Sequence, residues 1–314
     1  MKISICMCTY NGELYIKEQL ESLINQTKLP NEIIIYDDCS SDNTINIINE
    51  YAEKIKSISW IINVNEKNMG WKSNFAEAIN KASGDYIFLC DQDDIWINNK
   101  VERMIEIISN REDIELLACN QIVKLEESGE IKKKFKNDGK IEKISKDKYL
   151  TWTARPGCVF CFKRNIIEEF NKVWKSEFPH DAILWKIAYL RETLYVYNYY
   201  GIIWRRHDKN ATKKNKKIFS SNNIKIHYEV IKLYEKYFDA ISETSNITNR
   251  NMKKLKNVKL MIQLRKDLYE TKSTKAFFRL SKYIGYYATK KAYLLDALVL
   301  INKKIKNFGG NYYK

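Results

Sequence analysis

The sequence predicts an α/β protein: a mixed, mostly parallel sheet flanked by helices, with a helical extension at the C-terminus. Three observations carry this. Short apolar runs alternate with helix-period segments through the first third of the chain, polar and acidic clusters close successive runs at their carboxyl ends, and from about residue 222 the pattern is wholly helical. Parallel strands covered by helices on both faces read as continuous apolar runs. Ligands of such sheets bind outside the carboxyl ends of the strands.

The elements follow in order. Ile3-Ser4-Ile5-Cys6-Met7-Cys8 is a short strand, ended by Thr9-Tyr10-Asn11-Gly12. Residues 13–26 space Leu14, Ile16, Leu20, Leu23 and Ile24 as a helix does, and Pro30 breaks the chain. Glu32–Tyr36 is the second strand, closed by Asp37-Asp38-Cys39-Ser40-Ser41-Asp42, with a helix over 43–56. Trp60–Val64 is a third strand, residues 70–82 a helix, and residues 85–90 a fourth strand that runs into Asp91-Gln92-Asp93-Asp94. Further strands fall at 114–125 and 157–163, and the charged stretch 126–148 between them reads as a surface excursion. A helix over 179–190 and an aromatic strand over 194–204 precede three helices at 222–241, 249–271 and 274–305. The natural division is a catalytic domain over 1–212 and a basic helical region over 213–314.

Charge follows the same division. The net charge of the 314 residues is +15, but residues 205–314 hold 27 Lys and Arg against 8 Asp and Glu, a balance of +19, which leaves −4 for residues 1–204. A surplus of this kind suits an anionic lipid, a nucleic acid or an acidic substrate, or simply the wet faces of Lys-rich helices. No recognised nucleic-acid motif accompanies it, so nucleic acid is not an expected partner. Most of the 7 cysteines sit in apolar runs, and the lone C-x-x-C at Cys158–Cys161 has no second pair to make a zinc site. An odd cysteine count without a secretory leader points to a reducing cytoplasm. No apolar stretch approaches the ~20 residues that span a bilayer.

The acidic run Asp91–Asp94 is the most informative motif. Three carboxylates at the end of a buried strand repel one another and resist desolvation. A divalent cation offsets that cost, and hard cations of this kind also hold phosphates. The other motifs each leave two readings open. Asp37-Asp38 can accept hydrogen bonds from a base or a ribose, or can cap a helix together with Ser40 and Asp42. Thr9–Gly12 is a strand-to-helix turn whose backbone N–H groups can face a nucleotide. Asp181, on the first turn of its helix, is either a cap or a general base. Trp204-Arg205-Arg206-His207-Asp208-Lys209-Asn210 is either a basic surface turn or a charge-neutralising group for a leaving diphosphate.

Taken jointly, Thr9-Tyr10-Asn11-Gly12, Asp37-Asp38-x-Ser-x-Asp42, Asn68-Met69-Gly70, Gly84-Asp85-Tyr86, Asp91-Gln92-Asp93-Asp94-Ile95-Trp96, His180-Asp181 and Arg205-Arg206-His207-x-x-Asn210 resemble the family 2 glycosyltransferases, whose fold is the Rossmann-like GT-A sheet. The match covers about residues 1–212. The Asp-Gln-Asp-Asp-Ile-Trp form and the Arg-x-His-x-x-Asn ending are similar to the rhamnosyltransferase-like branch, which builds bacterial surface polysaccharides.

The resemblance implies an inverting transfer from a dTDP- or UDP-sugar to a glycan or lipid-linked acceptor, with Mn2+ or Mg2+ as cofactor. It implies Asp181 as the catalytic base. Thr9, Tyr10, Asn11, Asp37, Asp38, Asp91, Arg205 and Arg206 would bind the nucleotide sugar, and Asp93, Asp94 and His207 would lie at the metal. Trp152 and Trp185 are candidate stacking platforms for the acceptor. Where the family usually follows the base with two aromatics, Ala182-Ile183-Leu184-Trp185 stands here.

The C-terminal helices lie outside the match. Phe277, Phe278, Leu280, Tyr283, Ile284 and Tyr287 among many Lys and Arg suit an amphipathic face on an anionic membrane at the inner side of the plasma membrane, or a helical cap on the catalytic domain or on a second subunit. Two other readings compete with transfer. A nucleotidyltransferase would normally show a glycine-rich phosphate loop, and Thr9–Gly12 supplies one glycine. An inactive sugar-nucleotide-binding protein would be expected to lose acidic positions, and all of them are present.

Overall fold

A computed structural model describes residues 1–208, 210 and 221–301, with residues 221–226 and 301 described by backbone only. In chain order the elements are β1 (Ile3–Thr9), α1 (Ile16–Ile24), β2 (Glu32–Asp37), α2 (Thr44–Lys54), β3 (Ser59–Val64), α3 (Trp71–Lys81), β4 (Tyr86–Asp91), β5 (Ile95–Trp96), α4 (Lys100–Ser109) and β6 (Leu116–Leu125). They continue with β7 (Ile131–Lys132), β8 (Ile141–Lys143), α5 (Lys148–Thr151), β9 (Phe160–Lys163), α6 (Ile166–Val173), α7 (His180–Leu190), β10 (Leu194–Arg206), α8 (Ser221–Ile241), α9 (Asn249–Thr271), α10 (Thr274–Leu280) and α11 (Lys290–Ile301).

The chain forms two compact units, one of residues 1–144, 155–188 and 192–211, the other of 145–154, 189–191 and 212–314. The first unit holds a 10-stranded sheet in the order β3-β2-β1-β4-β9-β6-β10-β5, with β7 on β6 and β8 on β10. The pairs β3–β2, β2–β1, β1–β4 and β6–β10 are parallel, and β9 runs antiparallel between β4 and β6. β1 is buried along its whole length, as a central strand covered on both faces must be. The strand registers place Thr9 beside Asp37 and Cys8 beside Asp91, so the expected clusters leave the sheet together at one edge. At the far end, β10 pairs antiparallel with β5, Ile203 opposite Ile95. That pairing carries Arg205–His207 back to Asp93 and Asp94.

Several expectations need correction. The stretch 126–148 is not merely an excursion, because β7 and β8 add to the sheet from within it. The helix expected over 274–305 is broken: α10 ends in a 3-10 turn over 281–286, and α11 restarts at Lys290 under a Thr289 hydroxyl that accepts from Ala292 N at 3.2 Å. Gly285 lies within that break. Residues 302–305 of that expectation lie outside the described residues. Helices α4 and α6 carried no expectation, although Val101, Met104, Ile105 and Ile108 show helical spacing and are buried.

In the second unit Asp296 on α11 is fully buried. Arg265 of α9 donates to it twice, at 2.9 and 3.0 Å, and the Tyr269 and Tyr287 hydroxyls donate at 3.0 and 2.5 Å. Among the described residues no helix is long and apolar enough to cross a membrane.

Candidate functional site

The carboxyl edge of the first unit's sheet gathers most of the expected residues, and it uses them in two different ways. Asp37 is fully buried and accepts from the Thr9 hydroxyl at 2.7 Å, from Ser40 N at 2.7 Å and from the Ser40 hydroxyl at 2.6 Å. Asp38 accepts from Asn65 Nδ2 at 3.1 Å, Met69 N at 2.6 Å and Gly70 N at 2.8 Å. Gly70 sits at a φ of 83°, which a side chain would oppose, and there it presents its N–H to Asp38. Asn11 donates its N–H to Ser40 Oγ at 2.8 Å and accepts from Ser41 N at 2.9 Å, tying the first loop to the second. Of these five expected nucleotide contacts, Tyr10 alone among them offers a large exposed side chain, with 49% of its surface open.

The acidic loop is built differently. Asp94 is fully buried; its Oδ1 accepts from Arg205 N at 3.2 Å. Its Oδ2 has no hydrogen-bond partner among the described residues. Carboxylate oxygens of Asp91 and Asp94 and the Cys158 thiol lie within 4.8 Å of one another. Loss of solvation, then the charges of Asp93 and Asp181, push the Asp91 carboxyl up to about 7. Burial and the charges of Asp91 and Asp93 push Asp94 well above the carboxylate range. Asp93 Oδ2 accepts from Asn210 Nδ2 and lies on His207 Nε2, each at 2.9 Å, and His207 stacks on Tyr15 with ring centroids 4.6 Å apart. Lys209, between them in the motif, lies outside the described residues.

The basic end is less open than expected. Arg205 is buried, pairs with Glu18, and lies 3.7 Å from Glu126, so its guanidinium is already enclosed by two carboxylates. Arg206 lies over the Trp204 ring at 4.8 Å.

At the start of α7, His180 is buried, stacked on Phe75 at 4.1 Å and edge-on to Trp71 at 5.6 Å. Burial lowers its pKa to about 4, so it is neutral near pH 7. Asp181 beside it is half-buried, and its Oδ1 accepts from Ala182 N at 2.8 Å. Gly157 fits tightly against both: a Cβ there would stand 3.0 Å from Asp181 Cβ and 3.3 Å from His180 Nε2. Gly157 thus abuts Asp181 while Cys158 abuts Asp91 and Asp94, and two consecutive residues bring α7 and the acidic loop together.

Trp185 does not serve as a platform. It exposes none of its surface and stacks on Phe160 at 5.9 Å inside the core, as the apolar spacing of α7 demands. Trp152 belongs to the second unit, 41% exposed and stacked on Tyr149.

Two residues of the site carried no expectation. Gln92 accepts from Tyr10 N at 2.9 Å and donates to Tyr10 O at 3.0 Å, clamping the first loop to the acidic loop. Lys100 is fully buried, donates to Cys158 O at 2.8 Å, lies 3.3 Å from the centroid of the Trp96 ring, and places a cation beneath the acids. A buried lysine that opens an amphipathic helix looks in sequence like a solvated one, so only its place next to Val101 hinted at it.

A mixed sheet with an acidic loop at the carboxyl ends of its parallel strands, faced by a helix with Asp181 in its first turn, is the architecture of the GT-A glycosyltransferases. The sequence profile of glycosyl transferase family 2 matches residues 4–170, and the chain belongs to that family and is a glycosyltransferase. It is 31% identical over 221 residues to the dTDP-rhamnosyl transferase RfbG of Shigella flexneri, covering 67% of this chain and 74% of that one. It is 26% identical over 204 residues to the GalNAc(5)-diNAcBac-PP-undecaprenol beta-1,3-glucosyltransferase of Campylobacter jejuni, 64% of each chain. In fold it is similar to S. aureus TarS 1-349 solved in complex with UDP, with a TM-score of 0.59, 18% identity, and 88% and 73% of the two chains covered.

Proposed function

We propose that the chain transfers a sugar, with inversion, from a dTDP- or UDP-sugar to a hydroxyl of a glycan or lipid-linked acceptor in bacterial surface polysaccharide synthesis, rhamnosyl transfer being the favoured case. The observation that carries this is the convergence of Asp181 and the Asp91–Asp94 loop on Gly157-Cys158. The likeness to RfbG supports the dTDP-sugar, and the undecaprenol-linked substrate in the Campylobacter relative's name supports a lipid-linked acceptor.

The residues fit a divalent cation such as Mn2+ or Mg2+: Asp94 keeps an unpartnered buried oxygen, and the Asp91 carboxylate stands next to it. Asp94 would hold the ion with Asp93 and His207 close by, and Asp91 would reach both the ion and the donor. Bound there, such an ion neutralises charge developing on the departing diphosphate. Asp181 takes the proton from the acceptor hydroxyl. That oxygen forms the new bond to the anomeric carbon as the bond to the diphosphate oxygen breaks, and the nucleoside diphosphate leaves. Tyr10 covers the nucleotide, while Thr9, Asn11, Asp37 and Asp38 hold the loops that shape its pocket. Arg206 meets the diphosphate, and Arg205 orients the strand end from which His207 projects.

A thermal-shift screen of UDP-, dTDP-, GDP- and CMP-sugars, with Mn2+ or with EDTA, tests the donor through linkage. A cation-dependent rise for one pyrimidine diphosphate sugar is expected. Asp181→Asn should keep that rise and lose roughly a thousandfold in transfer rate. Loss of the rise in Asp181→Asn would assign Asp181 to structure instead, and no rise with any donor would overturn the reading.

A further inference from the structure

We infer that the elbow formed by α10, the 3-10 turn and α11 is a docking surface for an anionic lipid bilayer. The surface belongs to the second unit alone, and the inference does not depend on which sugar the first unit transfers.

The elbow exposes large apolar side chains that a water-facing surface has no use for. Phe278 is 71% exposed, Leu294 60% and Ile284 41%. They are not scattered. Phe278 lies against Phe277 at 5.8 Å between ring centroids, and Phe277 stacks at 5.1 Å on Tyr293, the neighbour of Leu294. The aromatic stack therefore joins the exposed residues of α10 to those of α11. Ala276 and Leu280 on α10 are buried, so that helix already has its inward face, and Phe278 is surplus to packing.

Cations frame the apolar residues. Lys275 and Arg279 flank Phe278 on α10, and Lys282 follows in the 3-10 turn. Lys290 and Lys291 open α11, and all five are exposed. Between residues 271 and 301 the sole carboxylate is Asp296, and it is buried under Arg265, Tyr269 and Tyr287. Residues 271–301 thus expose positive charge with no exposed carboxylate of their own.

Charge chooses the occupant. A second copy docking through the same patch would bring these cations against their own images, which is repulsive. A nucleic acid would satisfy the cations but has no place for Leu294 and Ile284. An anionic bilayer satisfies both: headgroups meet the ammonium and guanidinium groups, and the apolar side chains enter the headgroup–acyl boundary.

The test is sedimentation of the full chain with vesicles of phosphatidylcholine, with and without about one-third phosphatidylglycerol, at low and high salt and without donor. Binding to the phosphatidylglycerol vesicles alone, weakened by salt, is expected. Phe278→Ser/Leu294→Ser should lower binding at least about tenfold, and Lys275→Glu/Arg279→Glu/Lys282→Glu by at least about fivefold for each charge removed. Because these side chains are exposed, the melting temperatures should stay at the wild-type value, and a variant whose melting temperature falls is replaced by Phe278→Gln or Lys282→Gln, with the same prediction. Absent binding, binding indifferent to phosphatidylglycerol, or variants that bind as wild type overturn the inference. So does a dimer in sedimentation velocity that Phe278→Ser/Leu294→Ser dissociates, which would give the surface to a second copy, or equal competition by duplex DNA. None of these outcomes touches the donor screen, so the two readings fail separately.

Discussion

Two acidic pairs leave the same edge of the same sheet, and the protein treats them in opposite ways. Asp37 and Asp38 close β2 and between them accept from Thr9, Ser40, Asn65, Met69 and Gly70, all from the chain itself. Asp91, the last residue of β4, and Asp94 stand close together and feel the charge of Asp93, with one backbone N–H on Asp94 and a buried Asp94 oxygen left unpartnered. The first pair is saturated and fixes two loops. The second is held in mutual repulsion, with Lys100 beneath it as partial compensation. Carboxylates already satisfied by the fold have little left to offer a ligand; carboxylates the fold leaves in conflict are stabilised by one.

The largest effect should come from the second pair's loop. Asp93→Ala is expected to lower transfer about a thousandfold and to abolish cation-dependent donor binding, without lowering the melting temperature. Asp38→Ala is expected to do the reverse in kind. It leaves the partly exposed N–H groups of Met69 and Gly70 without their carboxylate acceptor and should cost roughly 1–3 kcal/mol in urea unfolding, with donor binding weakened only as the loop loosens. If Asp93→Ala destabilises as much as Asp38→Ala, the contrast between the two pairs does not hold.

This contrast was not legible in the sequence, where both pairs are Asp-rich turns after apolar strands. The sheet was legible, because β1, β2 and β4 are buried on both faces and must be apolar throughout. The gathering of motifs at one edge followed from their shared position at carboxyl ends. What distinguishes the pairs is donors supplied from distant residues, such as Met69 and Gly70 for Asp38, and no local pattern encodes those. The inward turn of Arg205 depends likewise on Glu18, and β5 is too short at Ile95–Trp96 to show a period. The break in the expected 274–305 helix had a local signal in Gly285, outweighed by the apolar residues around it.

A smaller effect separates the pairs by pH. Without a bound cation, burial and the neighbouring carboxylates push Asp91 in the folded chain up to about 7, from a usual value of 3.8. Between those values the folded state holds more protons than the unfolded state, so this group's contribution to stability should fall as pH rises from about 4 to about 7. Asp91→Asn should flatten that decline, and Mn2+ should reverse it. A metal-free stability profile that rises across the window, or that Asp91→Asn leaves unchanged, would mean that the repulsion is relieved within the fold.

The smallest effect tests how the two loops are kept in register. Gln92 joins the acidic loop to Tyr10 by two hydrogen bonds, and Gly12 lies so close to its amide that any side chain there would displace it. Both bonds are solvent-exposed, so Gln92→Ala should cost only about 1 kcal/mol of stability. Its greater effect should be a severalfold loss of donor affinity, because Tyr10 and Asp91 no longer share one rigid frame. Gly12→Ala acts on the same clamp by expelling the Gln92 amide, so its effect on donor affinity should match that of Gln92→Ala. The double variant should then be no worse than either single one, the non-additivity expected of two changes to one contact. Additive losses would mean that each loop reaches the donor on its own.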